Sequence, residues 1–99
     1  MIEMMGVSEL NGKMDVYKTV THPGSLKILV ILRKTPAGFS ELMFESRLSP
    51  SVLSKLLKSL ASYNIIEKEN NNYALTPKGD RILRILLEVL NELQDVEEG

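Results

Sequence analysis

The chain contains no cysteine, so disulfides, thiolate metal sites and thiol redox sensing are excluded, which fits a cytoplasmic setting. It has a single histidine, His22. One imidazole supplies too few ligands for a metal site within one chain, and no nucleophile pattern lies beside it. A surface or capping role before Pro23 is the expected use. No apolar run approaches the roughly 18 residues of a membrane span, and residues 1–10 carry no basic stretch of the kind that opens a signal peptide. No membrane partner is therefore expected. Repeats, low-complexity tracts, phosphate-cradling glycine loops and catalytic carboxylate pairs are also missing, so the chain reads as a non-enzyme without a cofactor.

What is present is enough for one domain with a modest core: 99 residues, 43% of them hydrophobic. Net charge is −1, and its distribution is uneven. Residues 1–46 are neutral. Residues 47–84 carry seven basic groups against three acidic ones, a net +4, and residues 85–99 carry five acids and no base. A basic middle followed by an acidic tail can present a positive face on a chain of low overall charge. The plainer explanation is that Lys and Glu merely solvate helix surfaces.

Punctuation by serine, proline, glycine and asparagine divides the chain. Residues 1–12, rich in Met with two glycines, read as a flexible N-terminal segment. A short helix is expected over 13–20, ended at Thr21-His22-Pro23-Gly24 because Pro23 pushes His22 out of the helical region. Ser25 is expected to cap a strongly apolar central helix over 26–34. After Thr35-Pro36-Ala37-Gly38, Ser40 is expected to cap a third helix, with Glu41 in its first turn and Leu42 and Met43 on its buried side. Ser49 can cap the next, with Pro50 at its first position. Within residues 50–63, Leu53, Leu56, Leu57 and Leu60 form one apolar stripe, and Ser51, Ser54, Lys55, Lys58, Ser59 and Ser62 form the opposite one. Asn64 stands where the chain needs a left-handed residue.

Two strands follow. Placing Ile66 and Leu75 on the same core-facing side pairs 66 with 75, 68 with 73 and 69 with 72. Strands over about 65–69 and 72–75 result, with Asn70-Asn71 as a two-residue turn whose members both take positive φ. Thr76 caps the last helix, from Pro77 to about Val96. Its apolar residues cover more than the stripe needed to pack on one domain, and a second chain is the simplest cover.

Helix, hairpin and helix in this order, with the preceding short helix, give the layout of a winged helix-turn-helix. Three motifs are similar to those of bacterial and archaeal regulators of the ArsR, MarR and HxlR type. They are His22-Pro23 followed by Leu26-Lys27-Ile28-Leu29, the run Leu48-Ser49-Pro50-Ser51-Val52-Leu53-Ser54-Lys55 continuing to Leu60 and Asn64-Ile65-Ile66, and Tyr73-Ala74-Leu75-Thr76 with Gly79. The resemblance implies a mainly α fold with a small β-hairpin wing, a winged-helix domain over 13–80, and a long C-terminal dimerisation helix whose last part, with the acidic tail, spans 81–99. It also implies a cytoplasmic, homodimeric transcriptional regulator. The sequence departs from the pattern in lacking the family's metal-sensing cysteines and in having an uncharged wing tip, Asn70-Asn71-Asn72.

Double-stranded DNA is then the expected partner. Arg47, Ser49, Ser51, Ser54, Lys55, Lys58, Ser59, Lys68 and Asn71 are its candidate contacts. Serine is a poor choice merely to stabilise a helix interior, but it is small and both donates and accepts, which suits close approach to a duplex. Lysines would meet phosphate or guanine. Self-association is assigned to Tyr17, Ile82, Ile85, Leu86, Val89, Leu90 and Leu93. The apolar last helix also leaves room for an effector ligand that the sequence does not specify. The rival expectation is a winged-helix module that docks a protein in a regulatory assembly, favoured by the uncharged wing tip and the acidic tail.

Overall fold

The computed structural model describes residues 5–98, with side chains over 5–94. Residues 1–4 of the N-terminal segment expected to be flexible lie outside the described residues, whereas residues 7–11 of that segment form a helix. The order is α1 (Val7–Asn11), α2 (Met14–Thr21), α3 (Pro23–Lys34), β1 (Ala37–Gly38), α4 (Phe39–Ser46), α5 (Pro50–Ser62), β2 (Ile66–Glu69), β3 (Asn72–Leu75) and α6 (Pro77–Glu98). The fold is mainly α with a small sheet, as the resemblance implies. No helix among the described residues is long and apolar enough to cross a membrane.

Two expected caps are corrected. α3 begins at Pro23, and its cap is His22, whose Nδ1 accepts from the Gly24 N–H at 2.9 Å. Proline at the first position and an acceptor side chain just before it already complete a helix start, so Ser25 falls inside the helix. There it is fully buried and its hydroxyl has no partner. Similarly, α4 is capped at Gly38 rather than Ser40. The Gly38 N–H donates to Glu41 Oε1 at 3.0 Å, and Ser40 lies in the first turn.

The hairpin register is the expected one, with Ile66 opposite Leu75, Lys68 opposite Tyr73 and Glu69 opposite Asn72. Its turn differs. Only Asn70 takes positive φ, at 58°, whereas Asn71 does not. Ile65 is buried just outside β2. The sequence pattern also missed β1, which pairs antiparallel with β3 (Ala37 opposite Tyr73, Gly38 opposite Asn72) and makes the sheet order β1-β3-β2. Two residues cannot display an alternation, so nothing local marks them as a strand.

Ile28, Leu29, Leu42, Leu53, Leu60, Ile66 and Leu83 fill a common core contributed by α3, α4, α5, β2 and α6. Close approaches at glycines fix how these elements meet. A Cβ on Gly24 would lie 2.8 Å from Leu56 Cδ1, so the start of α3 sits tight on α5. At Gly79, in the first turn of α6, a Cβ would collide with the Ile65 carbonyl. The Thr-Pro-x-Gly start of the last helix is therefore a packing requirement as well as a cap.

Replacing Gly79 by Ala should destabilise the fold by about 2–3 kcal/mol, because the obstacle is backbone and cannot swing away. Gly12→Ala, where a Cβ meets only ordinary contacts, is the control and should change little. Urea unfolding midpoints compare the two. Equal midpoints would mean that α6 does not press on Ile65.

Candidate nucleic-acid interface

α5 is defined at its start by Ser49, whose Oγ accepts from the Val52 N–H at 3.2 Å, followed by Pro50. Leu53, Leu57 and Leu60 are buried and Leu56 is half-buried. On the opposite side Ser51, Ser54, Lys55, Lys58 and Ser62 are exposed and Ser59 is half-buried. One of these hydroxyls is already engaged: Ser62 Oγ donates to the Ser59 carbonyl at 2.7 Å, back-bonding within the last turn. Val52, which the sequence pattern had assigned to neither stripe, is exposed on the flank of this face in the first turn.

The turn leading into α5 is held from within. Arg47 closes α4 in the left-handed conformation (φ 62°, ψ 26°), an uncommon state for a side chain with a Cβ. Buried Ser46 accepts from the Leu48 N–H at 3.2 Å through its hydroxyl, and its carbonyl receives Lys27 Nζ at 3.4 Å. The sequence reading passed over Ser46, since a serine at a helix end reads as surface. Its burial follows only once α3 and α4 are packed.

The wing meets α5 through side chains. Lys68 Nζ lies 5.5 Å from the centroid of the Tyr73 ring, its cross-strand partner. Ser54, Lys58 and Lys68 line one cleft of about 280 Å3 between α5 and the wing, floored by Phe39 and Tyr73. Asn71 lines an adjoining opening of about 420 Å3 that shares Phe39, Lys68 and Tyr73. The fold thus brings Ser54, Lys58 and Lys68 to one cleft and places Asn71 at its neighbour, with Lys68 lining both. Phe39 and Tyr73, its apolar floor, were not anticipated, because β1 was not. Arg47 stands apart from this cleft, bordering an apolar groove of about 410 Å3 between α3 and α6 that includes Leu87 and Leu90.

The residues assigned to self-association also divide. Ile85, Val89, Leu90, Leu93 and Tyr17 are exposed, whereas Ile82 and Leu86 are half-buried against the core. Tyr17, Ile82 and Leu86 share an apolar groove of about 650 Å3 between α2 and α6. Leu90 instead faces the Arg47 groove on the other flank of α6. Among the described residues there is no group of three His, Cys, Asp or Glu able to hold a metal ion.

The family model described as winged helix-turn-helix matches residues 25–95. No curated protein is matched by sequence. Among solved structures the chain is similar to the transcriptional repressor BigR from Xylella fastidiosa, with a TM-score of 0.69 and 23% identity over 87% of this chain and 90% of that one. It is also similar to the quinone-bound YodB from B. subtilis, with a TM-score of 0.70 and 22% identity over 92% of this chain and 99% of that one. The dimethyltransferase RosA from Streptomyces davawensis shares the fold over 75% of this chain (TM-score 0.62, 23% identity), but over only 22% of the enzyme. At such identities these are likenesses of fold. The match of the family model across most of the sequence carries more, and by it this chain belongs to the winged helix-turn-helix family.

Proposed function

We propose that the chain is a cytoplasmic, non-enzymatic transcriptional regulator that binds specific double-stranded DNA as a homodimer. α5 lies in the major groove and the β2–β3 hairpin acts as wing. The observation that carries this reading is the convergence of Ser54 and Lys58 from α5 with Lys68 from the wing on one open cleft, beside the exposed Ser51 and Lys55. Three cations and a row of short hydroxyl side chains on one rigid surface suit a polyanion approached closely. Ser51 and Lys55, toward the start of the helix, are placed to meet base edges, and Val52 beside them offers an apolar contact to a thymine methyl. Lys58, Lys68 and Arg47 serve phosphates, Ser49 and Ser59 flank the reading face, and Asn71 is a polar wing contact. The repressor role named for BigR points the same way, and the quinone of YodB gives precedent for an effector on this fold.

One observation favours the protein-docking alternative. Phe44, on the outer face of α4, is 83% exposed, and an aromatic side chain so open to solvent is the kind that anchors a partner. Absence of binding to generic duplex at low salt would support that alternative and overturn the DNA reading.

Lys55→Glu with Lys58→Glu should abolish duplex binding while leaving the thermal midpoint near that of the parent, because both side chains are exposed. Gel shift or anisotropy reads the binding, and retention of parental affinity would mean that the assigned face is wrong. With four cations in each protomer of a dimer, affinity should fall about 10³–10⁵-fold between 50 and 200 mM salt.

Arg47→Gly separates fold from function at a single site. Relief of the left-handed strain should raise stability by about 0.5–1 kcal/mol, while loss of a phosphate contact should weaken binding uniformly across sequences and lower the salt slope by about one per half-site. Unchanged affinity would remove Arg47 from the interface.

A further inference from the structure

We propose that the cleft between α5 and the wing binds an unpaired nucleotide, with the base stacked on Phe39 and the phosphate held by Lys58 and Lys68. Two features separate this cleft from a plain phosphate-binding surface. Its floor is aromatic: Phe39 opens α4 and is 36% exposed, and Tyr73 lies beside it from β3. A phosphate is held by cations and N–H donors and gains nothing from an apolar ring. Lys68 Nζ already sits over the Tyr73 ring at 5.5 Å, which leaves Phe39 as the ring for a ligand. The walls are basic. Lys58 from α5 and Lys68 from β2 line the cleft without an acid, and Ser54 adds a hydroxyl. Neither lysine belongs to the one ion pair among the described residues, Asp80 with Arg84.

The aromatic floor decides that the base is unpaired. Within a duplex, base pairs present their edges to the grooves and hide their faces against one another. Phe39 can stack only on a base outside the double helix, as aromatic side chains do in single-strand sites. The dimensions agree. The cleft of about 280 Å3 adjoins the opening of about 420 Å3, with Phe39, Lys68 and Tyr73 common to both, and spaces of this size take one small ligand. The second opening carries the exposed amides of Asn71 and Asn72, which donate and accept as the polar edge of a base requires. Its carboxylate, Glu41, is drawn to its own helix start, where Oε1 accepts from the Gly38 N–H at 3.0 Å. A free nucleoside monophosphate and one nucleotide of a single strand share this chemistry. The site needs neither a second copy nor a duplex, so it goes beyond the regulator reading. A nucleotide seated there would compete with duplex for Lys58 and Lys68.

The test is calorimetric titration at low salt with four probes: an oligothymidylate of about ten residues, an abasic strand of the same length and charge, thymidine monophosphate, and a generic duplex. The parent should bind oligothymidylate at least about tenfold more tightly than the abasic strand, because only the former offers bases to stack. Phe39→Leu keeps an apolar side chain but removes the ring, and it should erase that ratio while leaving the thermal midpoint near that of the parent. Lys58→Gln with Lys68→Gln should weaken both strands. The source of the nucleotide is read from thymidine monophosphate: binding that inorganic phosphate does not reproduce assigns the free nucleotide, and silence beside a bound oligothymidylate assigns the strand. Equal affinity for the two strands, a ratio that survives Phe39→Leu, or displacement of oligothymidylate by inorganic phosphate as readily as by thymidine monophosphate overturns the site. Duplex binding without discrimination between the strands would overturn this site and leave the duplex-binding regulator standing, whereas oligothymidylate binding without duplex binding would do the reverse.

Discussion

The end of α5, the base of the wing and the first turn of α6 meet at the hydroxyl of Thr76. It donates to the Asn64 carbonyl at 2.6 Å, with the Ile65 carbonyl at 3.0 Å, and accepts from the Gly79 N–H at 2.9 Å. The Thr76 N–H adds a bond to the Ile65 carbonyl at 3.2 Å, and Lys78 Nζ reaches the Tyr63 carbonyl at 3.1 Å. Each such bond contributes only about 0.5–1.5 kcal/mol net, so their importance is geometric. They fix the direction in which α6 leaves α5, with Asn64 (φ 62°) making the sharp exit and Gly79 allowing the close approach. Any pairing of α6 with a second copy is thereby converted into a fixed relation between two α5 faces.

The opposite end of α5 is held just as firmly. Ser49 caps it, Ser46 ties down the turn before it, and Gly24 lets α3 press against Leu56. An exposed face on a helix anchored at both ends keeps its side chains in register without waiting for a ligand to order them. The strain at Arg47 belongs to the same device. A left-handed residue closes α4 abruptly enough for α5 to begin three residues later.

The elements whose cause is local were legible in the sequence. Thr76-Pro77, Ser49-Pro50 and the left-handed Asn64 each depend on one or two neighbours, and the hairpin register follows from requiring Ile66 and Leu75 to share a face. Where two local starts competed, the pattern chose wrongly. Ser25 and Ser40 are better intrinsic caps than His22 and Gly38, but Pro23 and Glu41 had already satisfied those helix ends. β1, the burial of Ser46 and the Phe39–Tyr73 floor escaped because each arises from contacts between residues far apart in the chain. For the site, the α5 face could be read from helical spacing. Its junction with the wing could not, since that depends on how the hairpin, with β1 beside it, packs against α4 and α5.

The side of β2 that carries Lys68 is decided by strand alternation, and it resolves the apparent weakness of the wing. Lys68 points toward Tyr73 and the α5 cleft, so Glu67 and Glu69, its neighbours on β2, project from the other face. The local charge of the wing is therefore sorted by the pleat: one cation faces the candidate interface and two acids face away. A similar sorting applies to the whole basic middle of the chain. Of its seven cations, Lys78 is committed to the Tyr63 carbonyl, while Arg81 and Arg84 lie on α6, Arg84 paired with Asp80 of its own helix. Arg47, Lys55, Lys58 and Lys68 remain, all on α5, the turn before it or the wing. In the proposed DNA-binding role, four cations and short serines would make a modest half-site, whose phosphate contacts alone would hold weakly at physiological salt. Joining two of them rigidly converts the second encounter into an intramolecular one. On this reading the dimer helix is as much a determinant of DNA affinity as the face that touches the duplex.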